Sequence, residues 1–261
     1  MTTDVVGTTS RPLPSSATSP GVVVGVDGSD GSLRAVAWAA AEAATRSLPL
    51  TVLYAADLNG AVQDGDRPHA RRLLDHARTT ALRCAPGLLV TTALVETDPV
   101  AALTSVSRFV HTLVVGFGER GRCADPIVGS SAVEVAARAT GRVVVVRRTG
   151  SVDGPVIALM DRGHEDPHVL GEARSAAGPR GTVPVVSVVT PGSAAAALAG
   201  SDGAALVVVS RAGGARFALG PLARSAIRSA GCPVLIVPAG RPVEVPPGAP
   251  GSVRAAGVSR R

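Results

Sequence analysis

TLVVGFGERGRCADPIVGSS, residues 112–131, is the stretch on which the fold turns. An apolar run, Leu113 to Val115, gives way to Gly116, Gly118 and Gly121. Gly129, Ser130 and Ser131 then lead into AVEVAARA, whose apolar spacing is helical. The order is strand, glycine loop, helix. In an α/β protein this sets backbone N–H groups and two hydroxyls at a helix N-terminus, where the partial positive charge of unpaired amides favours phosphate. The same glycines also suit a second reading, a plain turn between strand and helix, since glycine punctuates most such connections.

Working outward, the rest of the chain alternates in the same way. Val-rich GVVVGVDGSDGS (Gly21 to Ser32) reads as a strand ending in Asp27 and a Gly28-Ser29 turn, with Ser29, Asp30 and Ser32 as candidate caps for the helix that follows. That helix runs from Leu33 to about Arg46, with Val36, Ala37, Ala40 and Ala44 on its apolar stripe and Arg34 and Glu42 off it. LTVLYA (Leu50 to Ala55) is a second strand, HARRLLDHARTTALRCA a helix stopped by Pro86 and Gly87, and LLVTTALVE (Leu88 to Glu96) a third strand. A helix with Pro99 in its first turn is expected to last to about His111, and RVVVVRR (Arg142 to Arg148) closes the unit. Strands alternating with helices imply a parallel sheet with right-handed crossovers, whose ligands bind at the carboxyl ends of the strands where strand order reverses.

A Gly/Ser/Asp linker precedes a shorter run of the same kind. VIALMD (Val156 to Asp161) again ends in Asp, and VPVVSVVT, SAAAALA, ALVVVSRAGGARFALGPLARS and CPVLIVP follow as strand, helix, strand with loop and helix, and strand. Gly129 stands 14 positions before Val143, and Gly220 stands 14 before Val234, the offset of an internal repeat. Asp27 to Gly129 is 102 positions against 59 from Asp161 to Gly220, so the second copy is 43 residues shorter, about one strand and one helix. The expected organisation is a disordered leader at 1–20, a first domain at 21–148, a linker at 149–154, a second, truncated domain at 155–238 and a disordered basic tail at 239–261.

Composition narrows the chemistry. The 261 residues are 46% hydrophobic and only 2% aromatic, which suits Val-rich strands and Ala-rich helices but supplies few platforms for stacking bases. All 26 basic residues are Arg; without Lys there is neither a P-loop nor a Schiff base. Of the net charge of +6, half lies beyond Pro238, in Arg241, Arg254, Arg260 and Arg261 against Glu244, so the charge reads as a solvated tail and not as a specific nucleic-acid surface. Cys84, Cys123 and Cys232 are odd in number and widely spaced, against a disulfide scaffold or zinc site. His164 and His168 flank Pro167, which interrupts a two-histidine metal face. There is no secretory pattern and no apolar run of about 18 residues, so a cytoplasmic protein without membrane contact is expected. No nucleophile-base-acid set is present, and no catalytic residue or metal ligand is assigned.

VVVGVDGSDGSLRAVAWAAAEAA, PLTVLYA, TDPVAAL, VVGFGERGRCADPIVGSS and RVVVVR together, in that order, resemble the universal stress protein family, from about Gly21 to Arg148 and again, degraded, from about Pro155 to Pro238. The resemblance implies two doubly wound, Rossmann-like parallel-sheet domains of the adenine nucleotide alpha hydrolase type, paired through the last strand of each copy. In nucleotide-binding members an acid ends strand one, strand-two backbone lies beside adenine, and a loop of Gly, two residues, Gly, nine residues, Gly and Ser or Thr holds phosphate. Asp27 with Gly28 and Ser29, Val52, and Gly116, Gly129 and Ser130 with Ser131 match those places. Glu119 stands where the second Gly belongs, with Gly118 and Gly121 on either side. A carboxylate turned toward a triphosphate costs about 4 kcal/mol per charge pair at about 4 Å and an effective dielectric of about 20; turned outward, it leaves the loop amides free. In the second copy Val209 and Ala212 replace the first two loop glycines and Pro221 follows Gly220, removing a donor.

The implied function is a non-catalytic, ATP-responsive stress regulator with its site in the first domain, with Mg²⁺ as the nucleotide's companion and an unidentified protein partner. A paired-domain interaction module without nucleotide, and a slow ATPase, are the alternatives; a homodimer is compatible with each.

Overall fold

The structure, a computed structural model, describes residues 20–56, 66–117, 130–162, 166–190, 192–211 and 218–239. Residues 1–19 of the leader and the basic tail after Ala239 lie outside the described residues, as do Gly118, Glu119, Gly121, Cys123, Gly129 and His164.

The first unit runs β1 (Val22–Val26), α1 (Asp30–Thr45), β2 (Leu50–Ala56), α2 (Asp66–Cys84), β3 (Val90–Glu96), α3 (Pro99–Val106), β4 (Thr112–Gly116), α4 (Ser130–Arg138) and β5 (Val143–Val146). The second runs β6 (Val156–Asp161), α5 (Pro167–Ala177), β7 (Val185–Val189), α6 (Ala194–Leu198), β8 (Leu206–Ser210), α7 (Pro221–Ser229) and β9 (Val234–Val237). Caps fix several boundaries. Asp98 accepts from Ala101 N at 2.8 Å and so starts α3 at Pro99, and Asp166 accepts from His168 N at 2.9 Å ahead of Pro167. α3 ends at Val106, five residues short of His111, because residues 107–111 turn to feed β4.

The strands form one nine-stranded sheet in the order β3-β2-β1-β4-β5-β9-β8-β6-β7. All neighbours are parallel except β5 and β9, which pair antiparallel, Val143 opposite Ile236 and Val145 opposite Val234. The two copies are therefore halves of one sheet. The second half matches β2-β1-β4-β5 of the first; what it lacks is the counterpart of α2 and β3. One apolar layer, beneath α1, α2 and α5, joins Val36, Leu74 and Val169; the other, beneath α3, α4, α6 and α7, joins Val100, Val135, Leu198 and Ile227. Each layer runs through both halves, so the halves share their cores as well as their sheet.

Candidate functional site

Strand order reverses between β1 and β4: the chain steps outward from β1 to β2 and β3, then returns to β4 on β1's other side. The carboxyl ends of β1 and β4 flank the crevice this reversal leaves. Asp27 follows β1 there and is exposed. Its Oδ1 accepts both the backbone N–H of Ser29 at 2.9 Å and the Ser29 hydroxyl at 2.6 Å. Ser29 in turn caps α1, its Oγ accepting from Ser32 N at 3.1 Å, while the Ser32 hydroxyl donates to Ser29 O at 2.8 Å. Of the three candidate caps, the structure uses Ser29, and Asp27 locks it.

Two glycines are required by this geometry. Gly28 has φ +80°, and a Cβ on it would lie 2.7 Å from Cδ2 of Leu73 on α2. A Cβ on Gly116 would strike the Gly31 carbonyl oxygen and lie 2.5 Å from Gly31 C and 2.7 Å from Ser32 N. The end of β4 thus runs directly against the first turn of α1, which brings Asp27, Gly28, Ser29 and Gly116 into one crevice. Phe117 continues the strand by donating its N–H to Val146 O at 2.9 Å. Ser131, in the first turn of α4, is exposed, and Ser130 begins that helix.

Val52 does not belong to this group. It lies opposite Val24, in the middle of β2, and is wholly buried. The register sets Tyr54 opposite Val26, so Ala55 is the residue level with Asp27. The resemblance alone does not fix the rung on β2; the register with β1 does.

A second polar constellation lies between the halves. Glu42 is buried although its place off the apolar stripe of α1 predicts exposure. Its carboxylate pairs with Arg46, the C-cap residue of its own helix, and, at 2.5 Å, with Arg180, 138 residues away in the second half. Burial pushes its pKa up, but the Arg180 and Arg46 guanidinium groups outweigh burial and hold it below the usual value. Nearby, Arg142 pairs with Glu172 at 3.2 Å, and His111 stands between Thr112 and Arg142. Burial, then the charges of Arg142 and Arg46, lower the His111 pKa. Glu42, Arg46, His111, Arg142, Glu172 and Trp38 line a small cleft. It is built as an ion-pair seam and lies where β4 and β5 begin, by Thr112 and Arg142, the opposite strand ends from the Asp27 crevice.

The second copy repeats the first crevice only in outline. Asp161 ends β6, but α7 begins with Gly220 and Pro221, and Gly220 offers no side-chain cap. Among the described residues no three His, Cys, Asp or Glu side chains group to hold a metal, and no helix is long and apolar enough to cross a membrane. Cys232 is buried, which raises its pKa to about 11, and Cys84 is exposed.

The family model described as the universal stress protein family matches this chain twice, at residues 21–147 and 151–238. Universal stress protein Rv3134c of Mycobacterium tuberculosis (strain H37Rv) is 31% identical over 180 residues, 65% of this chain and 66% of the relative. Other curated relatives match over about half their length, as with Rv2624c of the same strain, at 31% identity and 50% of its length. A universal stress protein of Archaeoglobus fulgidus DSM 4304, 14% identical, superposes with a TM-score of 0.62 over 84% of this chain and 98% of its own, a likeness of fold. A universal stress protein solved in complex with cAMP is 28% identical over 50% of this chain and 98% of its own, with a TM-score of 0.41.

Proposed function

The chain belongs to the universal stress protein family, and from that premise we propose a non-catalytic, nucleotide-responsive protein that binds an adenine nucleotide in the Asp27 crevice of its first half. The observation that carries the reading is the contact of Gly116 with Gly31 and Ser32, at the point where strand order reverses. It joins a strand-end carboxylate to a helix start, and the half-buried Ala55, level with Asp27 on β2, is the rung along whose backbone a base would lie.

The roles follow from chemistry. Asp27 accepts a ribose hydroxyl through Oδ2, the oxygen that takes part in neither bond to Ser29. Gly28 keeps the crevice free of a side chain. The N-terminus of α4, which begins at Ser130, would offer phosphate its first-turn backbone amides and the exposed Ser131 hydroxyl. Mg²⁺ arrives with the phosphates, because Asp27 alone is too few ligands for a resident ion. The second half, with Pro221 at the helix start, serves as a structural partner. No residue of the crevice is assigned as a base for attacking water, so occupancy and not turnover is the signal.

Equilibrium dialysis of the full chain with ATP and Mg²⁺, and with AMP, tests this. Wild type is expected to bind and Asp27→Ala to bind at least about tenfold more weakly, the loss of one charge-assisted hydrogen bond. Absence of binding at millimolar ATP refutes the nucleotide reading in favour of the interaction module. Phosphate release above the Asp27→Ala background refutes the non-catalytic one.

A further inference from the structure

The sheet ends differently on its two sides. At one end is β3, with Thr91 and Thr92 exposed and Glu96 paired to Arg67 at 2.8 Å. Polar and charged side chains of this kind keep an edge strand from pairing with another chain. At the other end is β7, and residues 182–190, Thr-Val-Pro-Val-Val-Ser-Val-Val-Thr, carry no charge at all. Val185, Val186 and Val188 are 51%, 48% and 40% exposed, and Val183 is 80% exposed.

The internal repeat explains the exposure. Register sets Val186 opposite Ala158 of β6, the place that Val52 holds opposite Val24 in the first half. Val52 has no exposed surface, because α2 lies in the same core layer through Leu74, Ala77 and Ala81, and β3 pairs with its outer edge, Thr92 opposite Val52. The second half has lost that helix and strand. Among the described residues nothing takes their place, and β7 presents unpaired backbone and valines on both faces.

We propose that β7 is covered by β7 of a second copy of this chain, the two strands antiparallel about a two-fold axis at Ser187. Charge selects this occupant. An uncharged strand meets its own image with no like charges opposed, whereas pairing of β7 with the other open edge, β3, would set it against Glu96 and Arg67. That second arrangement is also head-to-tail and runs on into a filament, while the two-fold closes as a dimer. The axis at Ser187 sets Val186 opposite Val188 of the partner subunit on one face and Val185 opposite Val189 of the partner subunit on the other, the β-branched cross-strand pairs that antiparallel strands favour. The chain already joins its own two halves in this way: β5 and β9 meet antiparallel through Val143, Val144 and Val145 against Ile236, Leu235 and Val234, again without a charge.

The test uses the full chain and two charge variants. At about 50 µM, where a micromolar dissociation constant leaves mostly dimer, sedimentation is expected to give twice the 26.0 kDa mass of one chain. Val186→Glu with Val188→Glu, and separately Val186→Arg with Val188→Arg, set like charges against each other across the axis and weaken self-association by at least about tenfold. Mixing the two variants sets opposite charges together and restores the dimer, which a misfolded variant would not do. A wild-type monomer at this concentration overturns the proposal. So does either charged variant that dimerises as wild type, or a mixture that stays monomeric while both variants melt as wild type does. A chain ending at Ala239 that dimerises when the full chain does not would assign the edge to the tail, and overturns it as well.

Discussion

Glu42→Ala removes the carboxylate on which Arg46 and Arg180 converge across the two halves. The side chains of Glu42, Arg46 and Arg180 are 5%, 13% and 11% exposed, so the loss leaves two guanidinium groups in a nearly dry seam. Breaking a buried pair in this way costs about 3–5 kcal/mol. Two features set the expectation near about 3 kcal/mol: Arg180 also donates to Ala176 O at 2.7 Å and Arg46 to Ser175 O at 3.3 Å, so each cation keeps a partner. At about 2–4 °C per kcal/mol for a chain of this size, the melting temperature falls by about 6–12 °C. Thermal and denaturant unfolding of Glu42→Ala, Arg180→Ala and the double variant gives the coupling directly, and the double variant is expected to lose less than the two single losses combined. The pH dependence supplies a second readout. The folded pKa of Glu42 lies below its ordinary 4.5, so its contribution is full above that value and is lost as pH falls through the folded pKa; the gap between wild type and Glu42→Ala narrows there. A Glu42→Ala loss under about 1 kcal/mol, or strictly additive single losses, refutes the reading of Glu42 as the pin between the halves.

Gly116→Ala forces a Cβ into the first-turn backbone of α1 and is expected to cost about 1–3 kcal/mol and to abolish nucleotide binding in dialysis. Gly171→Ala, on exposed helix with nothing within 4 Å, gains about 0.5–1 kcal/mol, so equal denaturation midpoints for the two would refute the packing argument. His111 accepts from Arg142 at Nε2, at 3.3 Å, and its pKa is lowered, so the unfolded chain binds a proton that the folded chain refuses. Stability therefore falls as pH drops below about 6.5, and His111→Gln is expected to flatten that slope in melting curves taken between about pH 7 and pH 5.

What the sequence disclosed depended on whether a feature was local. Each strand announced itself as a short apolar run and each major helix by its cap or its stripe, because those signals lie within a few residues of what they determine. Asp27, Gly28, Ser29 and Gly116 were likewise legible, the crevice being made of strand ends and one helix start. That Val52 lies in mid-strand and Ala55 level with Asp27 was not legible, because the edge rung is a property of two strands in register, 28 residues apart in the case of Val24 and Val52. Glu42 was read only as lying off the apolar stripe of α1, and its burial was not legible for a similar reason. Its partner Arg180 sits in a short 3₁₀ turn, Gly178–Arg180, and no local pattern in α1 points to it.

The shortened second copy bears on why the chain keeps it at all. β5 finds its outer neighbour in β9, and without the second half a strand of four buried valines would be an open edge. Glu42 would lose Arg180 and the cover over the seam at the same time. The 43 residues missing from the second copy are those farthest from both contacts, since the counterparts of α2 and β3 would lie beyond β7, at the opposite end of its half from β9. Deletion there spares the joint and the Asp27 crevice and lays bare β7 instead. A second copy of the chain at that edge replaces the lost strand at the cost of no contact the first half uses, so nucleotide at Asp27 and pairing at β7 can be read out independently: Asp27→Ala is expected to leave sedimentation unchanged, and the β7 charge variants to leave nucleotide affinity unchanged. A change in both from either substitution would mean that the two ends of the sheet are coupled through the shared core, and that the second half is more than a structural partner.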